Sequence, residues 1–187
     1  MPGKEGTTRL RFEPLGPAHD RGAFSCGAEA LDNYLRKQAG QDVRKRVAVA
    51  FVLTPDGKTV AGYYTLSQYS VELGAIPDGI AAKLPKHPFV PATLIGRLAV
   101  SNEFRSQRLG ELLLMDALNR CLSGSKQVAS AVVVVDAKDD SAAAFYKRYG
   151  FIELPKTPKR LFLPMATIEK LFSRVCIVAK AAAPCYK

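Results

Sequence analysis

The chain has 187 residues, 48% of them apolar and 24% charged, which predicts one compact globular domain with a full core. Lysine and arginine number 27 against 17 acidic residues, and a net charge of +10 raises the local concentration of polyanions such as nucleic acids and coenzyme phosphates. The sequence shows no run of 18 apolar residues and no signal-peptide core, so we expect a soluble, cytoplasmic protein without membrane contact.

The first half of the chain predicts a strand, a helix and a hairpin. The segment "TRLRFEPL" alternates and ends at Pro14 and Gly16, as a first strand does. The segment "CGAEALDNYLRKQAGQ" has apolar residues at helical spacing, with Arg36 and Lys37 on the solvent side. Two apolar, β-rich runs then flank "PDG" at residues 55–57, which is typical of a β-hairpin.

The second half alternates strands and helices. Residues 76–91 are expected to form a loop with one helical turn, "ATLIGRLAVS" a strand, and the leucine-rich segment after it a helix. The run "VASAVVVVDA" predicts a strand buried on both faces. In "DDSAAAFYKRYGF" we expect a short helix with Asp139 or Asp140 as N-cap and Gly150 as its left-handed stop. A strand and a helical turn, "RLFLPMATIEKLF", complete a domain of residues 1–172, and residues 173–187 form a tail.

Cysteines and histidines offer little for metal or triad chemistry. The four cysteines form no C-x-x-C pair, so the pattern predicts neither a zinc site nor a disulfide framework. We interpret them as mostly buried thiols. Two histidines beside prolines or loop residues give a metal cluster or a Ser-His-Asp arrangement little to build on, and we expect no metal. These residues are Cys26, Cys121, Cys176 and Cys185, with His19 and His87.

This order of elements predicts an α/β or α+β domain with one mixed sheet, in which the second half makes right-handed parallel crossovers. In such a sheet a ligand with a phosphate group binds where a strand turns into a helix, because free N–H groups and the helix dipole meet there. Residues 105–110 occupy that turn. We therefore expect an anion site at these residues.

Two motifs resemble those of the GNAT acetyltransferases. The segment "LIGRLAVSNEFRSQRLGELLL" is similar to motif A, whose R/Q-x-x-G-x-G/A signature wraps the pyrophosphate of coenzyme A. Arg105 takes its first position and Gly110 its last, but Arg108 replaces the middle glycine. We expect this replacement to be tolerated where the backbone of Arg108 needs no positive φ, with its guanidinium adding a phosphate contact. The segment "DDSAAAFYKRYGF" resembles the second motif, N-x-x-A-x-x-x-Y followed by G-F, with Asp139 in place of the usual asparagine.

The resemblance implies a single-domain GNAT acetyltransferase fold with acetyl-CoA as cosubstrate. It assigns protonation of the departing thiolate to Tyr146, and the pantetheine and the thioester carbonyl to backbone groups of residues 98–100. On spacing alone a core aromatic beside Phe145 is the better interpretation of Tyr146, and its place within two linked motifs favours the catalytic one. The resemblance assigns coenzyme contacts to Leu98, Ala99, Val100, Arg105, Ser106, Gln107, Arg108, Leu109, Gly110, Asp139 and Ala142.

A closer resemblance extends from about residue 9 to residue 172. Here "FSCGAEALDNYLRKQAGQD", "VAGYYTLS", "IGRLAVS", "VVVDAKDD" and "RLFLPM" together look like the TacT-like toxins of type II toxin-antitoxin pairs. The resemblance implies acetylation of the free amine of aminoacyl-tRNA, which blocks its use in translation, and a neutralising antitoxin with a ribbon-helix-helix domain. It is compatible with a homodimer. The preferred aminoacyl group is expected to depend on loops such as residues 74–91.

The pKa of the attacking amine gives a clue to the substrate that does not depend on the resemblance. A lysine amine has a pKa of about 10.4 and usually needs a base, whereas an α-amino group has a pKa of about 7.7 to 8.0. Acidic residues are absent from residues 92–102 and 58–71, and Asp136 remains the candidate base. This scarcity mildly favours an amine that is already neutral over a protein lysine.

Clustered basic residues predict contacts to tRNA phosphates. The alternative is a solvated helix face. Two rival functions also stay open: an acetyltransferase for a small amine or a protein N-terminus, and a non-catalytic RNA-binding or regulatory module. The expected nucleic-acid contacts are Arg36, Lys37, Arg44, Lys45, Arg46 and Arg97, with Lys159 and Arg160 as additions.

Overall fold

The structure, a computed structural model, describes residues 9–181, with side chains as far as residue 173. Among these residues, seven strands form one sheet in the order β1-β2-β3-β4-β5-β7-β6. The strands are β1 (Arg11–Pro14), β2 (Val49–Thr54), β3 (Gly62–Glu72), β4 (Phe89–Val100), β5 (Val132–Asp136), β6 (Ile152–Glu153) and β7 (Arg160–Pro164). The helices are α1 (Glu29–Asn33), α2 (Ala39–Arg44), α3 (Asp78–Ala81), α4 (Leu109–Gly124), α5 (Asp140–Arg148) and α6 (Met165–Ala181).

The sheet is mixed, as predicted. β1, β2 and β3 are antiparallel neighbours, and β4 pairs with β5 in parallel from Ala92 to Ile95. The parallel crossover from β4 through α4 to β5 is therefore confirmed. The next expected crossover, from β5 through α5 to the predicted last strand β7, is wrong, because β7 is antiparallel to β5 and lies between β5 and β6. The connection from β6 to β7 is short, and a short connection returns the chain antiparallel rather than across the sheet.

Contacts divide the chain into two compact units, each with its own core. One unit comprises the described residues up to Ser67 and Gly96–Met115, and the other comprises Gln68–Ile95 and the described residues from Asp116 onwards. The first unit has a buried cluster of Phe24, Tyr34, Leu35, Ala39, Val52, Val60, Tyr63 and Ala99. The second has a buried cluster of Val71, Ile76, Val90, Ala92, Val132, Val134, Leu154 and Phe162.

The predicted first helix is present but changes its pitch in the middle. Between α1 and α2, the segment Tyr34–Gln38 is π-helical. The Tyr63 hydroxyl donates to the main-chain oxygen of Leu31 at 2.8 Å, and the Tyr34 hydroxyl donates to Asp42 at 2.9 Å. The first bond ties α1 to β3, and the second joins the π-helical segment to α2. Turns of the π-helical kind are frequent near functional sites.

Most other predicted elements are confirmed, with shifted boundaries. The hairpin is β2 and β3, the helical turn in residues 76–91 is α3, and Gly150 has a φ of +88° after α5. β4 begins at Phe89, three residues before the predicted start, since its first residues already belong to the sheet. β6 was not predicted, because two residues carry no pattern. α6 continues to Ala181, so the predicted helical turn is a long helix that enters the segment expected as a tail.

The cysteines, the helices and the potential metal ligands can each be compared with what the composition predicted. Cys121 is buried, as interpreted, and Cys26 is only half-buried, whereas the side chains of Cys176 and Cys185 lie outside the described residues. Within residues 9–181, no helix is long and apolar enough to cross a bilayer. The described side chains contain no group of three His, Cys, Asp or Glu that could hold a metal ion.

Candidate active site

The turn from β4 into α4 has an unusual backbone. After a short 3-10 turn at Asn102–Phe104, Ser106 and Arg108 adopt left-handed conformations, with φ of +70° and +55°. Such interruptions of right-handed backbone are typical of anion-binding nests. The condition under which the replacement by Arg108 was expected to be tolerated, a backbone without positive φ, is therefore not met. This residue holds the glycine position of the signature in a conformation that favours glycine, at a cost of about 1 kcal/mol.

The side chains of this loop face solvent, and its end is anchored. Arg108 is 82% exposed and its Nη2 lies 2.6 Å from the carboxylate of Glu111, across the first turn of α4. Leu109 is 5% exposed and fixes the helix start in the core. The loop from Arg105 to Arg108 thus offers its main chain to a ligand while Leu109 holds it in place.

Arg105, the first residue of the signature, contacts the chain entering α1. Its Nη2 donates to the main-chain oxygen of Cys26 at 2.9 Å, and the N–H of Asn102 donates to the oxygen of Ser25 at 2.8 Å. Gly27 has a φ of +80°, and a Cβ there would lie 3.1 Å from Arg105 Nη2. The glycine of "CGAEAL" is the sequence signal for this contact, although its partner could not be read from the sequence.

The end of β4 provides main-chain groups next to this loop. Its pairing with β5 ends at Ile95, and the strand continues through Leu98, Ala99 and Val100. On β3, a Cβ at Gly62 would lie 3.0 Å from the main-chain oxygen of Ala99, so the two backbones approach closely. The predicted pantetheine contacts therefore lie on the part of β4 beyond its register with β5.

Tyr146 lies in the other unit, inside an aromatic group on α5. It is 7% exposed, and its ring centroid lies 5.2 Å from that of Phe145 and 5.5 Å from that of Phe151. Burial raises the pKa of its phenol to about 12. The ring is thus part of a core, as spacing alone indicated, while the phenol stays protonated and able to donate at neutral pH.

Asp139 begins the helix that carries Tyr146. Its Oδ1 accepts a hydrogen bond from the N–H of Ala142 at 2.7 Å, and this bond holds the pKa of the carboxyl below its usual value. The prediction of an N-cap at Asp139 or Asp140 is confirmed at Asp139. Aspartate can therefore replace the usual asparagine here without loss of the cap.

Asp136, the candidate base, is occupied by an ion pair. Its two carboxylate oxygens accept from Arg160 Nε at 2.6 Å and from Nη2 at 3.0 Å, and Arg160 Nη1 donates to the Tyr69 hydroxyl at 2.7 Å. A carboxylate with both oxygens bonded to one guanidinium is poorly placed to accept a proton from substrate. The structure therefore disfavours Asp136 as the base and ties Arg160 to the protein.

The predicted nucleic-acid residues fall into two groups. Lys37, Arg44, Lys45 and Arg46 are exposed, the last three together at the end of α2. Two arginines instead contact other groups of the protein. Arg36 donates to the main-chain oxygen of Phe24, and the Arg97 guanidinium lies 3.5 Å over the ring of Tyr34. Lys159 lies 3.5 Å from Asp140.

Sequence comparisons extend over nearly the whole chain. Residues 46–153 match the acetyltransferase (GNAT) domain family. A probable toxin TacT of Sinorhizobium fredii is 34% identical over 175 residues, which cover 89% of this chain and 97% of that protein. A tRNA-acetylating toxin of Mycobacterium tuberculosis is 34% identical over 151 residues, which cover 81% of this chain and 89% of that protein.

Solved structures of the toxin AtaT are also similar to this chain. AtaT in complex with acetyl-methionyl-tRNAfMet has a TM-score of 0.80 at 33% identity, covering 88% of this chain and 99% of the other. A tyrosine-to-phenylalanine variant of AtaT, bound to the C-terminus of the antitoxin AtaR and to acetyl-CoA, has a TM-score of 0.75 at 28% identity, with coverage of 88% and 99%. This chain belongs to the GNAT acetyltransferases. Within that family it is an N-acetyltransferase of the TacT-like toxins.

Proposed function

We propose that this protein is an acetyl-CoA-dependent toxin that acetylates the free amine of aminoacyl-tRNA in the cytoplasm and thereby blocks translation. The observation that carries the proposal is the similarity to a tRNA-acetylating toxin over 81% of the chain, in a protein that keeps both coenzyme motifs and Tyr146. The exposed basic residues at the end of α2 add a surface suited to tRNA phosphates.

The coenzyme pyrophosphate binds to main-chain N–H groups from Gln107 to Gly110. Two features support this: the left-handed residues Ser106 and Arg108, and the start of a 16-residue helix whose dipole favours an anion at Leu109. The pantetheine binds along the main chain of residues 98–100. Asp139 acts through α5, whose first turn it caps, and Arg105 acts chiefly through its bond to Cys26.

In the reaction, the neutral α-amine attacks the thioester carbonyl, a C–N bond forms, and the C–S bond breaks. The amine loses one proton to solvent, the sulfur takes one from the Tyr146 phenol, and solvent then returns a proton to the phenolate. Because the pKa of this phenol is about 12, the group stays protonated at neutral pH until the thiolate forms. No carboxylate base is needed, since an α-amino group has a pKa of about 7.7 to 8.0.

The partners are charged tRNA and a ribbon-helix-helix antitoxin, and the resemblance is compatible with a homodimer. An acidic segment of the antitoxin is complementary to the surface of Arg44, Lys45 and Arg46, where it would compete with tRNA. Competition between an acidic antitoxin peptide and tRNA at this surface would make neutralisation sensitive to salt.

Mass spectrometry of total charged tRNA, after incubation with the protein and acetyl-CoA, tests the proposal. The expected product is an aminoacyl-tRNA heavier by one acetyl group on its amine. Acetylated small amines or protein N-termini with unmodified charged tRNA would favour the first rival. Unchanged acetyl-CoA alongside bound tRNA would favour a non-catalytic RNA-binding module.

A further inference from the structure

A cleft outside the candidate active site lies entirely within the unit that contains β5 and β7. Its volume is about 300 Å³. Val71 and Leu154, 5% and 2% exposed, contribute its buried side, while Tyr69, Phe89 and Arg160 supply aromatic and cationic groups. The coenzyme motifs contribute none of its lining residues, so the acetyl-transfer step described above leaves this cleft unused.

Phe89 is the unusual side chain of the cleft. It is the first residue of β4 and is 57% exposed, although a phenylalanine gains about 2 to 3 kcal/mol from full burial. A single exposed apolar residue needs no explanation by itself. Here, however, the exposed ring lines a cavity that is also lined by a guanidinium fixed by Asp136 and Tyr69, and the combination indicates a ligand.

Arg160 is held with part of its donor capacity unused by the protein. A guanidinium has five N–H groups. Two donate to Asp136 and one to the Tyr69 hydroxyl, which leaves two on the terminal nitrogens. Its central carbon also lies 5.4 Å from the centroid of the Tyr69 ring. The cleft therefore presents a guanidinium plane with free donors beside an aromatic ring.

Acceptors complete the lining. Glu72 and Thr157 also line the cleft, and their side chains carry a carboxylate and a hydroxyl. Proteins bind an unstacked nucleobase with such a combination: aromatic faces, a guanidinium plane, and hydrogen-bond donors and acceptors within one small cavity. The side chains of different amino acids differ too much in shape and polarity for one such cavity to bind them all. Every tRNA, by contrast, ends in the same adenosine.

We infer that this cleft binds the terminal adenine of the charged tRNA. The inference rests on the proposed function, because the base belongs to the nucleotide that carries the acetylated amine. The adenine stacks on Phe89 and receives donors from Arg160, while Glu72 or Thr157 accepts from its amino group. Arg160 is bonded to the last residue of β5, and the chain reaches the Asp139 cap of the Tyr146 helix three residues later.

A fluorescent base in the tRNA tests this inference directly. The probe is an uncharged tRNA with 2-aminopurine in place of its terminal adenine, whose emission falls when the base stacks on an aromatic ring. Saturating protein is expected to quench the probe. Phe89→Ala should abolish most of the quenching and weaken binding, measured by anisotropy, roughly 5- to 150-fold. Phe89→Trp should preserve both.

The matched control is Val128→Ala, because Val128 is 58% exposed and lies outside the cleft lining. This variant should quench and bind like the parent. Quenching that is absent at saturation, or equal in parent and Phe89→Ala, overturns the inference. So does a changed preference among charged tRNAs in Phe89→Ala with unchanged fluorescence, because the cleft then holds the aminoacyl side chain.

The proposed function and the cleft inference can fail separately. If the parent quenches the probe but does not acetylate charged tRNA, the cleft is a nucleobase site on a protein of another activity. If it acetylates charged tRNA without quenching, the function stands and the cleft inference is wrong. A parent that neither binds nor acetylates tRNA overturns both.

Discussion

Arg105 Nη2 donates to the main-chain oxygen of Cys26 at 2.9 Å, so the first residue of the coenzyme signature binds the chain before α1. The same stretch is held by Asp32, whose carboxylate accepts from the N–H of Cys26 at 2.8 Å. The loop of residues 105–108 and the chain entering α1 are thereby linked. In the proposed function this loop would therefore contact phosphate chiefly through its main chain, while the Arg105 side chain fixes the position of the loop.

Replacing Arg105 by methionine tests this division of roles. The variant keeps the aliphatic stem and loses the bond to Cys26, so we expect the free energy of unfolding to fall by about 0.5 to 1.5 kcal/mol in urea. Affinity for acetyl-CoA, measured by calorimetry, should fall less than tenfold. Arg148→Met, at an exposed arginine in the last turn of α5, is the control and should change neither quantity. A hundredfold loss of affinity at unchanged stability would instead indicate direct contact with phosphate.

Arg108→Gly is expected to stabilise the protein. The backbone at residue 108 has a φ of +55°, which glycine adopts without the steric cost borne by other residues. The free energy of unfolding should rise by about 1 kcal/mol, less the small contribution of the exposed pair with Glu111. Arg108→Ala removes the same pair and keeps the conformational cost, so it should not stabilise. Equal stability of the two variants would contradict the backbone explanation.

Strands, helices and motif positions could be predicted where local chemistry is strong. The Asp139 cap, the Gly150 stop and the Asp56 turn each depend on neighbours within a few residues, and each was found. The positive φ of Arg108 was not predicted, because the tertiary structure imposes a conformation that arginine does not prefer. The partner of Arg105 lies 79 residues away, and no local pattern carries such information.

The lack of long-range information in a local pattern also explains why the partners of the basic residues and of the candidate base were not predicted. Arg97 and Tyr34 are 63 positions apart, yet the guanidinium lies 3.5 Å over the ring. Arg160 was a candidate phosphate contact and Asp136 a candidate base, and their ion pair disfavours the second role for a reason that spacing cannot reveal. Residue types predict chemistry, but long-range partners decide which groups remain available for a substrate.

Tyr146→Phe is expected to lower turnover roughly 10²- to 10⁴-fold, as for loss of a general acid. The packing against Phe145 and Phe151 needs only the ring, so the fold and the acetyl-CoA affinity should stay near those of the parent. Single-turnover transfer to charged tRNA measures the chemical step. Near-parental rates in this assay would exclude the phenol as the acid. Tyr149→Phe, one helical turn further along, serves as the control.

Activity should rise with pH and then remain level. Below about pH 7.5 the α-amine is mostly protonated, so log kcat/KM should increase with a slope of about one. Burial raises the pKa of the Tyr146 phenol to about 12, and the acid therefore stays protonated through pH 10. The measurement is kcat/KM between pH 6 and 10 on an amide-linked charged tRNA, which resists hydrolysis. A decline between pH 8.5 and 10 that Tyr146→Phe abolishes would show that the phenol titrates earlier.

Salt dependence tests the tRNA surface. If Arg44, Lys45 and Arg46 neutralise tRNA phosphates, log affinity falls linearly with log salt, with a slope of about 0.7 to 0.9 per phosphate. Their joint replacement by alanine should reduce that slope by roughly two units and weaken binding of charged tRNA. Filter binding between 50 and 300 mM salt measures both, since this range of roughly sixfold resolves a change of two units.

The triple variant should leave acetyl-CoA affinity nearly unchanged, because the three residues end α2 and belong to neither coenzyme motif. The matched control replaces Lys126 after α4, Arg148 at the end of α5 and Lys170 of α6, three exposed residues outside the cleft and outside residues 74–91. It removes the same three charges, so it lowers the long-range attraction of the whole protein for RNA equally. Binding and slope that change alike in both variants would assign the effect to net charge. A change confined to Arg44, Lys45 and Arg46 would assign it to phosphate contacts at the end of α2.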